Sequence, residues 1–247
     1  MVLVSLILTT FNSKQNFIKT YESICRQTYP NIEIIIIDGN SNDGTKEEIQ
    51  KRAEKNSAVR WISEEDTGIY NAMNKGLRMA KGEIIAFFND EFLTDTAVEQ
   101  YVCTIEETQC DGAHSDLIYK SAEGKVIRRW RMGEGKISEG WLPGHPTLYL
   151  KRDIYEKYGE YKEDYRCAAD YEFMVRILKD SQVHLAYIPE TLIAMFYGGT
   201  SSNGLKAYWI SFWEGVRALR DNGVKGAIRI TVLRMLKVLK QFLIKKG

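Results

Sequence analysis

The chain has 247 residues, 44% of them hydrophobic and 27% charged, and its 34 Lys and Arg nearly cancel 33 Asp and Glu to leave a net charge of +1. That length suits one domain with a C-terminal extension rather than two full domains. The near-neutral balance argues against a whole-protein nucleic-acid binder. The absence of any apolar run near 20 residues leaves a soluble or peripheral protein.

The first predicted strand, Val2 to Thr9, runs directly into polar TTFNS without a charged leader or cleavage site, so no secretory signal is expected. A helix follows, marked by Phe17, Tyr21, Ile24 and Cys25 at helical spacing. Next come a strand at Ile32 to Asp38, a helix over Thr45 to Lys55, a strand at Val59 to Ser63, a helix over Tyr70 to Ala80 stopped by Gly82, and a strand at Glu83 to Phe88. The strands are short Ile- and Val-rich runs suited to burial on both faces. Their alternation with helices predicts a mainly parallel sheet covered on both sides. In such sheets ligands gather beyond the carboxyl ends of the strands, where these runs end in TTFN, DGNSNDG, SEED and FFNDE.

After Asp95 the pattern changes. A helix over Thr96 to Thr108 leads to two strand-like runs, Gly112 to Tyr119 and Val126 to Met132, about a turn at Glu123 and Gly124. The loop GWLPGHPTLYL and a helix over Asp170 to Lys179 follow, so this half is expected to be mixed sheet and loops covering the strand ends. The four cysteines, Cys25, Cys103, Cys110 and Cys167, show neither CxxC nor a zinc-like His spacing and read as reduced cytosolic thiols.

Each polar cluster carries two readings. DGNSNDGT supplies the dihedrals of a sharp turn, yet it also puts Asp38 where a sheet of this class presents its chemistry. FFNDE offers Asn89, Asp90 and Glu91 to a divalent metal, or it is acidic charge ahead of the helix near Thr94 to Val98. SEEDTGIYNAMNKG reads as a solvated loop before a helix carrying Lys75. Asp170, flanked by Ala169 and Tyr171, is a helix N-cap or a general base. RRWRM, Trp141 and His145 hold a phosphate and stack on a sugar, or they belong to hairpin surface and core.

Taken in order, SLILTTFN, IIIIDGNSNDGT, SEEDTGIYNAMNKGLRMAKGEII, FFNDE, GHPTLYLKRDIYEKYG with AADYEFMVRIL, and FYGGTSS resemble the family 2 glycosyltransferases of the GT-A fold, over roughly residues 2–202. The resemblance implies a Rossmann-like α/β domain at 1–204, with a nucleotide-binding half (1–95) and an acceptor-side half (96–204). It implies inverting transfer from a UDP-sugar to a glycan or lipid-linked oligosaccharide in capsule, exopolysaccharide or O-antigen synthesis. By the same carry-over Thr9, Phe11, Asp38, Asp66, Lys75 and Asn89 bind the donor. Asp90 or Glu91 binds Mg²⁺ or Mn²⁺, Asp170 is the catalytic base, Trp141 and His145 lie on the acceptor side, and Gly198 to Ser202 close over the phosphates. Relatives usually read N-x-D-D after the strand, so Asn89, Asp90 and Glu91 stand one residue short. A sugar nucleotidyltransferase is the rival enzyme, although TTFNSKQN lacks that class's Gly-rich, Arg-containing loop. A degenerate nucleotide- or glycan-binding member without turnover is the non-enzymatic rival.

In the tail, 205–247, apolar residues recur at Leu205, Tyr208, Trp209, Phe212, Trp213, Val216 and Leu219, and again at Val224, Ile228, Val232, Met235, Leu236, Leu239, Phe242 and Leu243. From Val224 onward the only charged side chains are Lys and Arg. Such helices lie on an anionic membrane, pack on their own domain, or join a second subunit. The expected location is cytoplasmic, either free or on the inner face of the plasma membrane.

Overall fold

The structure is a computed structural model that describes residues 1–121, 123–196 and 204–243, with side chains described from 209 to 238 in the last stretch. The nucleotide half follows the expected order: β1 (Val4–Thr10), α1 (Lys14–Cys25), β2 (Ile32–Asp38), α2 (Thr45–Ala53), β3 (Val59–Ser63), α3 (Ile69–Met79) and β4 (Ile84–Phe87). The second half contains β5 (Glu91–Phe92), α4 (Ala97–Thr108), β6 (Gly112–Lys120), β7 (Val126–Trp130), β8 (Tyr149–Lys151), α5 (Arg152–Tyr158), α6 (Ala169–Leu178), β9 (Leu185–Phe196), α7 (Gly204–Asp221) and α8 (Ala227–Leu243).

Among the described residues the strands form one nine-stranded sheet in the order β3-β2-β1-β4-β8-β6-β9-β5, with β7 hanging from β6. β3, β2, β1 and β4 run parallel, whereas β8 lies antiparallel between β4 and β6. The sheet is therefore parallel where the polar strand ends collect and mixed beyond, as expected from the sequence.

Both faces are covered, which explains the four consecutive isoleucines. Ile34 and Ile36 pack with Leu6, Leu8, Phe17, Tyr21, Ile49 and Tyr101 on one side. Ile35 and Ile37 pack with Ile7, Met73, Leu77, Phe173 and Ile177 on the other. Successive strand side chains alternate between faces, so a strand covered on both sides is apolar through its middle. In β2 that middle is Ile34 to Ile37, between Glu33 and Asp38, whose buried carboxylates are hydrogen-bonded.

Two expectations change. FFNDE does not simply close a strand: β4 ends at Phe87, and Glu91 already belongs to β5, which pairs with β9. Asp90 and Glu91 are likewise not at a helix start, because α4 begins at Ala97. Strands β8 and β9 and helix α5 carry no clear periodic signal. β9 contains Pro189 and Glu190, and its register against β6 shifts near Asp116.

Candidate active site

The β1–α1 and β2–α2 loops are stitched together. Asn12 donates its backbone N–H to Ser41 Oγ at 2.8 Å, and its side-chain oxygen accepts from Asn42 N at 2.9 Å. Asp43 accepts from Lys14 N at 3.1 Å and Thr45 N at 3.0 Å, and the Thr45 hydroxyl holds its carboxyl below the usual range. Asn12 and Asn40 take left-handed backbone with φ of 45° and 63°, which Asn tolerates better than most residues. In DGNSNDGT, Asn40, Asp43 and Gly44 build turns, while Asp38, expected to bind the donor, is instead closed off by Ser41 and Ser63.

Asp38 is fully buried. Its carboxylate accepts Ser41 Oγ at 2.5 Å, Ser41 N at 3.0 Å and Ser63 Oγ at 2.7 Å, which ties the ends of β2 and β3 together. Beside it, Gly39 lets two other groups close in. A Cβ built at Gly39 would lie 3.2 Å from both the Phe11 ring and Asp66 Oδ2. Phe11 is 64% exposed, so its ring is open to a ligand. Lys75 holds the Asp66 loop by donating to Asp66 Oδ1 at 2.7 Å, Glu64 Oε1 at 2.8 Å and the Glu65 carbonyl at 3.1 Å. Its ammonium is thereby committed to the loop, a positioning task rather than a free charge. Thr9 and Asn89 bind each other twice, Thr9 N to Asn89 Oδ1 at 2.9 Å and Asn89 Nδ2 to Thr9 Oγ1 at 3.0 Å. The neighbouring Thr10 hydroxyl is buried without a partner.

The acidic pair at 90 and 91 is divided. Glu91 forms an ion pair with Lys120 at 3.0 Å. Asp90 is buried beside Phe196, and no cation pairs with it among the described residues. Burial pushes its carboxyl up to about 7, only partly opposed by the Phe196 backbone. A buried carboxylate lacking a counter-charge suits a divalent cation, so the residues present fit such an ion at Asp90 better than at Glu91. No cluster of three or more metal-ligating side chains exists among the described residues. The Gly198 to Ser202 loop lies outside the described residues.

Asp170 stands at the second position of α6 but makes no side-chain cap. Its Oδ1 instead accepts the Tyr70 hydroxyl at 3.2 Å, and Oδ2 has no hydrogen bond among the described residues. Burial and the Asp170 charge raise the Tyr70 phenol, so it stays a donor at neutral pH. Since α3 starts directly after the Asp66 loop, Tyr70 puts Asp170 at the same edge of the sheet as Asp38 and Asp66. His145 is on this side too, with Nε2 2.8 Å from the Tyr161 hydroxyl and its ring 5.7 Å from Phe87. Burial lowers its affinity for a proton, and the charge of Asp170 opposes that. Residues 67–71 and 163–166 line a cavity of about 250 Å³ that includes Tyr70. Thr67 and Gly68 put the end of the loop before α3 on this cavity, which Asp170 itself does not line.

Trp141 is elsewhere. Its indole donates to the Met132 carbonyl at 2.9 Å and packs edge-on to His114, in a second cavity of about 460 Å³ that reaches Leu178 at the other end of α6 from Asp170. His114 is buried there, with Nδ1 unpartnered and its proton affinity lowered by burial to about 4. Of RRWRM, Arg128 stacks over Tyr119 and Trp130, which is hairpin packing. Sequence reasoning missed Ser41, Ser63, Thr10, Tyr70 and Tyr161. All but Tyr161 stood inside strings already singled out, but Ser63 and Tyr70 acquire their roles through contacts distant along the chain.

The comparisons bear on the family and the fold. Residues 5–166 match the profile of Glycosyl transferase family 2. An Escherichia coli protein described as UDP-Glc:alpha-D-GlcNAc-diphosphoundecaprenol beta-1,3-glucosyltransferase WfaP is 38% identical over 94% of this chain and 92% of its own. A PGL/p-HBAD biosynthesis glycosyltransferase of Mycobacterium bovis is 25% identical over 80% of this chain and 78% of its own. Among solved structures, S. aureus TarS 1-349 in complex with UDP-GlcNAc superposes with a TM-score of 0.73 at 16% identity, covering 96% of this chain and 73% of that one. The mannosyltransferase PcManGT from Pyrobaculum calidifontis, in complex with GDP-Man and Mn2+, gives 0.65 at 16% identity, covering 100% and 76%. The superpositions show a GT-A fold, and the chain belongs to glycosyl transferase family 2.

Proposed function

We propose that the chain transfers a hexosyl group from a UDP-sugar, with inversion, to a lipid-linked saccharide in surface-polysaccharide synthesis. The observation that carries this reading is the shared edge: Phe11 and Asp66 face each other across Gly39, and Tyr70, four residues after Asp66, reaches Asp170. The 38% identical relative, whose name states a UDP-glucose donor and a diphosphoundecaprenol-linked acceptor, supports the choice of both substrates.

In this mechanism the exposed Phe11 ring stacks on uracil. Asp66 Oδ2 accepts the base's imide N–H, while Asp38, closed off and already bonded, holds the turn that sets Phe11 and Asp66 apart. Asp90 would hold the divalent ion, whose chemistry is to offset the charge of a diphosphate. Asp170 presents its unbonded Oδ2 to the acceptor hydroxyl and takes the proton. The freed oxygen attacks the anomeric carbon from the face opposite the nucleotide, a C–O bond forms, the bond to phosphate breaks, and UDP leaves. Tyr70 fixes the carboxylate in that orientation.

Calorimetric titration of UDP with and without Mn²⁺, followed by transfer assays with a panel of UDP-sugars onto a diphosphate-linked saccharide, tests the reading. UDP binding strengthened by Mn²⁺ and turnover with at least one donor are expected. Failure to bind UDP rejects the proposal, and binding without turnover converts the chain to a nucleotide-binding relative.

A further inference from the structure

The tail packs on its own domain with only part of its apolar pattern. Val216, Ala218 and Leu219 of α7 and Ala227, Ile230 and Thr231 of α8 are buried, Phe212 and Val224 pack against the same core, and Arg234 lies over the Tyr171 ring of α6. Other bulky members of the pattern face outward. Trp209 is 65% exposed and Trp213 42%, while Ile228, Val232, Met235 and Leu236 are 41 to 50% exposed. Trp209 and Trp213 are one turn apart and touch edge to face at 5.8 Å. At 100° per residue, Ile228, Val232, Met235 and Leu236 share one side of α8 away from buried Ala227 and Ile230, while Trp209 and Trp213 flank the buried Val216 position on α7. Arg220, Lys225, Arg229 and Lys237 fringe this face, all exposed, and none forms an ion pair among the described residues. The acids of the hairpin are turned elsewhere: Glu214 accepts the backbone N–H groups of Arg166 and Cys167, and Asp221 accepts the Tyr165 hydroxyl.

We propose that the outer face of the α7–α8 hairpin docks on an anionic lipid surface, with the tryptophans and α8 aliphatics entering the headgroup boundary and the four cations meeting lipid phosphates. Six exposed bulky apolar side chains in contact with water gain by removal from it. The unopposed cations select the occupant. A second copy of the same face would bring like charges together, whereas an anionic bilayer supplies the missing negative charge and an apolar layer at once. No helix among the described residues is long and apolar enough to cross a membrane, and docking in the plane of the interface does not need one. The proposal goes beyond the catalytic reading and stands on these side chains alone.

The test is vesicle co-sedimentation of the full chain, with phosphatidylcholine alone and with added anionic phospholipid, alongside Trp213→Glu with Leu236→Glu and Arg229→Glu with Lys237→Glu. The intact protein should bind the anionic vesicles more tightly and lose affinity as salt rises. The charge-reversed pair should bind more than about twentyfold more weakly, at roughly fivefold per basic side chain removed. Quenching of tryptophan fluorescence by brominated lipid reads the same contact without any substitution. Absence of vesicle binding overturns the proposal, as does equal binding by all variants. A concentration-dependent dimer broken by the same substitutions, without affinity for lipid, assigns the face to self-association instead. UDP affinity measured on each variant should not change, which separates failure of docking from failure of the donor site.

Discussion

Asp38 and Asp66 are both carboxylates at strand ends, but their surroundings assign them different work. Asp38 accepts three hydrogen bonds inside the fold, so Asp38→Asn exchanges one acceptor oxygen for a donor facing the donors of Ser41. We expect a loss of stability of about 1–3 kcal/mol, seen as a lower denaturant midpoint. Asp66 has one oxygen on Lys75 and one beside Gly39, the glycine the Phe11 ring also approaches. Asp66→Ala should weaken UDP binding by about tenfold or more, the value of one charge-assisted hydrogen bond, with a smaller effect on unfolding. Calorimetry and denaturant titration on both variants decide whether the roles are divided this way. Asp170 and Tyr70 form a second such pair. Asp170→Asn should cut kcat by about 10²–10⁴ while donor affinity holds, because a base acts on the transition state. Tyr70→Phe should cost roughly tenfold in kcat with little change in KM, and an unchanged kcat would make its hydroxyl mere packing.

At the scale of elements, α3 is clamped between the sheet and the 160s loop. Asn74 exchanges hydrogen bonds with the Tyr161 backbone at 2.9 and 3.0 Å and also binds Glu163 at 2.9 Å. Tyr70, Met73 and Leu77 turn inward from it, and Gly76 brings the helix onto β1. A Cβ at Gly76 would run into the Ile7 Cγ2 methyl. Gly76→Ala should therefore cost about 1–3 kcal/mol by overpacking, despite alanine's better helix propensity. Thermal unfolding checks it, and a stabilised variant would show that α3 shifts freely. The elements legible in the sequence were those that bury a repeating pattern, such as Ile32 to Asp38 and Val59 to Ser63, whose bounds match the structure. β8 is three residues long, and β9 is interrupted by Pro189 and Glu190 at its exposed middle, so neither carries a period to read.

Across the whole molecule, α7 and α8 complete the core. Glu172, fully buried on α6, receives Arg176 at 2.8 Å, Lys162 at 2.9 Å and the Asn222 side chain at 3.0 Å, which joins the tail to the catalytic domain. Truncation before Asn222 removes that bond along with buried Ala227 and Ile230. It should lower the unfolding free energy by roughly 3 kcal/mol or more, whereas the exposed Trp213→Glu should change it by less than about 0.5 kcal/mol. Equal melting of the truncated and full chains would show that the tail is only appended.

By itself the sequence determined the α/β order, the edge at which polar strand ends collect, and the set of acids offered there, because alternation, burial and turn chemistry are local along the chain. It also located the basic amphipathic tail. Only the tertiary structure decided which acid keeps an unbonded oxygen and which is internal. Asp38 is closed by Ser63, 25 residues on, Asp170 is oriented by Tyr70, 100 residues away, and Glu91 is claimed by Lys120. The same holds for Trp141, which is drawn to His114 rather than to Asp170, and for the tail, where Val216, Leu219 and Ile230 face the core while Trp209, Trp213 and Leu236 face out. Charge compensation and burial depend on neighbours brought together by folding, and residue type alone does not carry them.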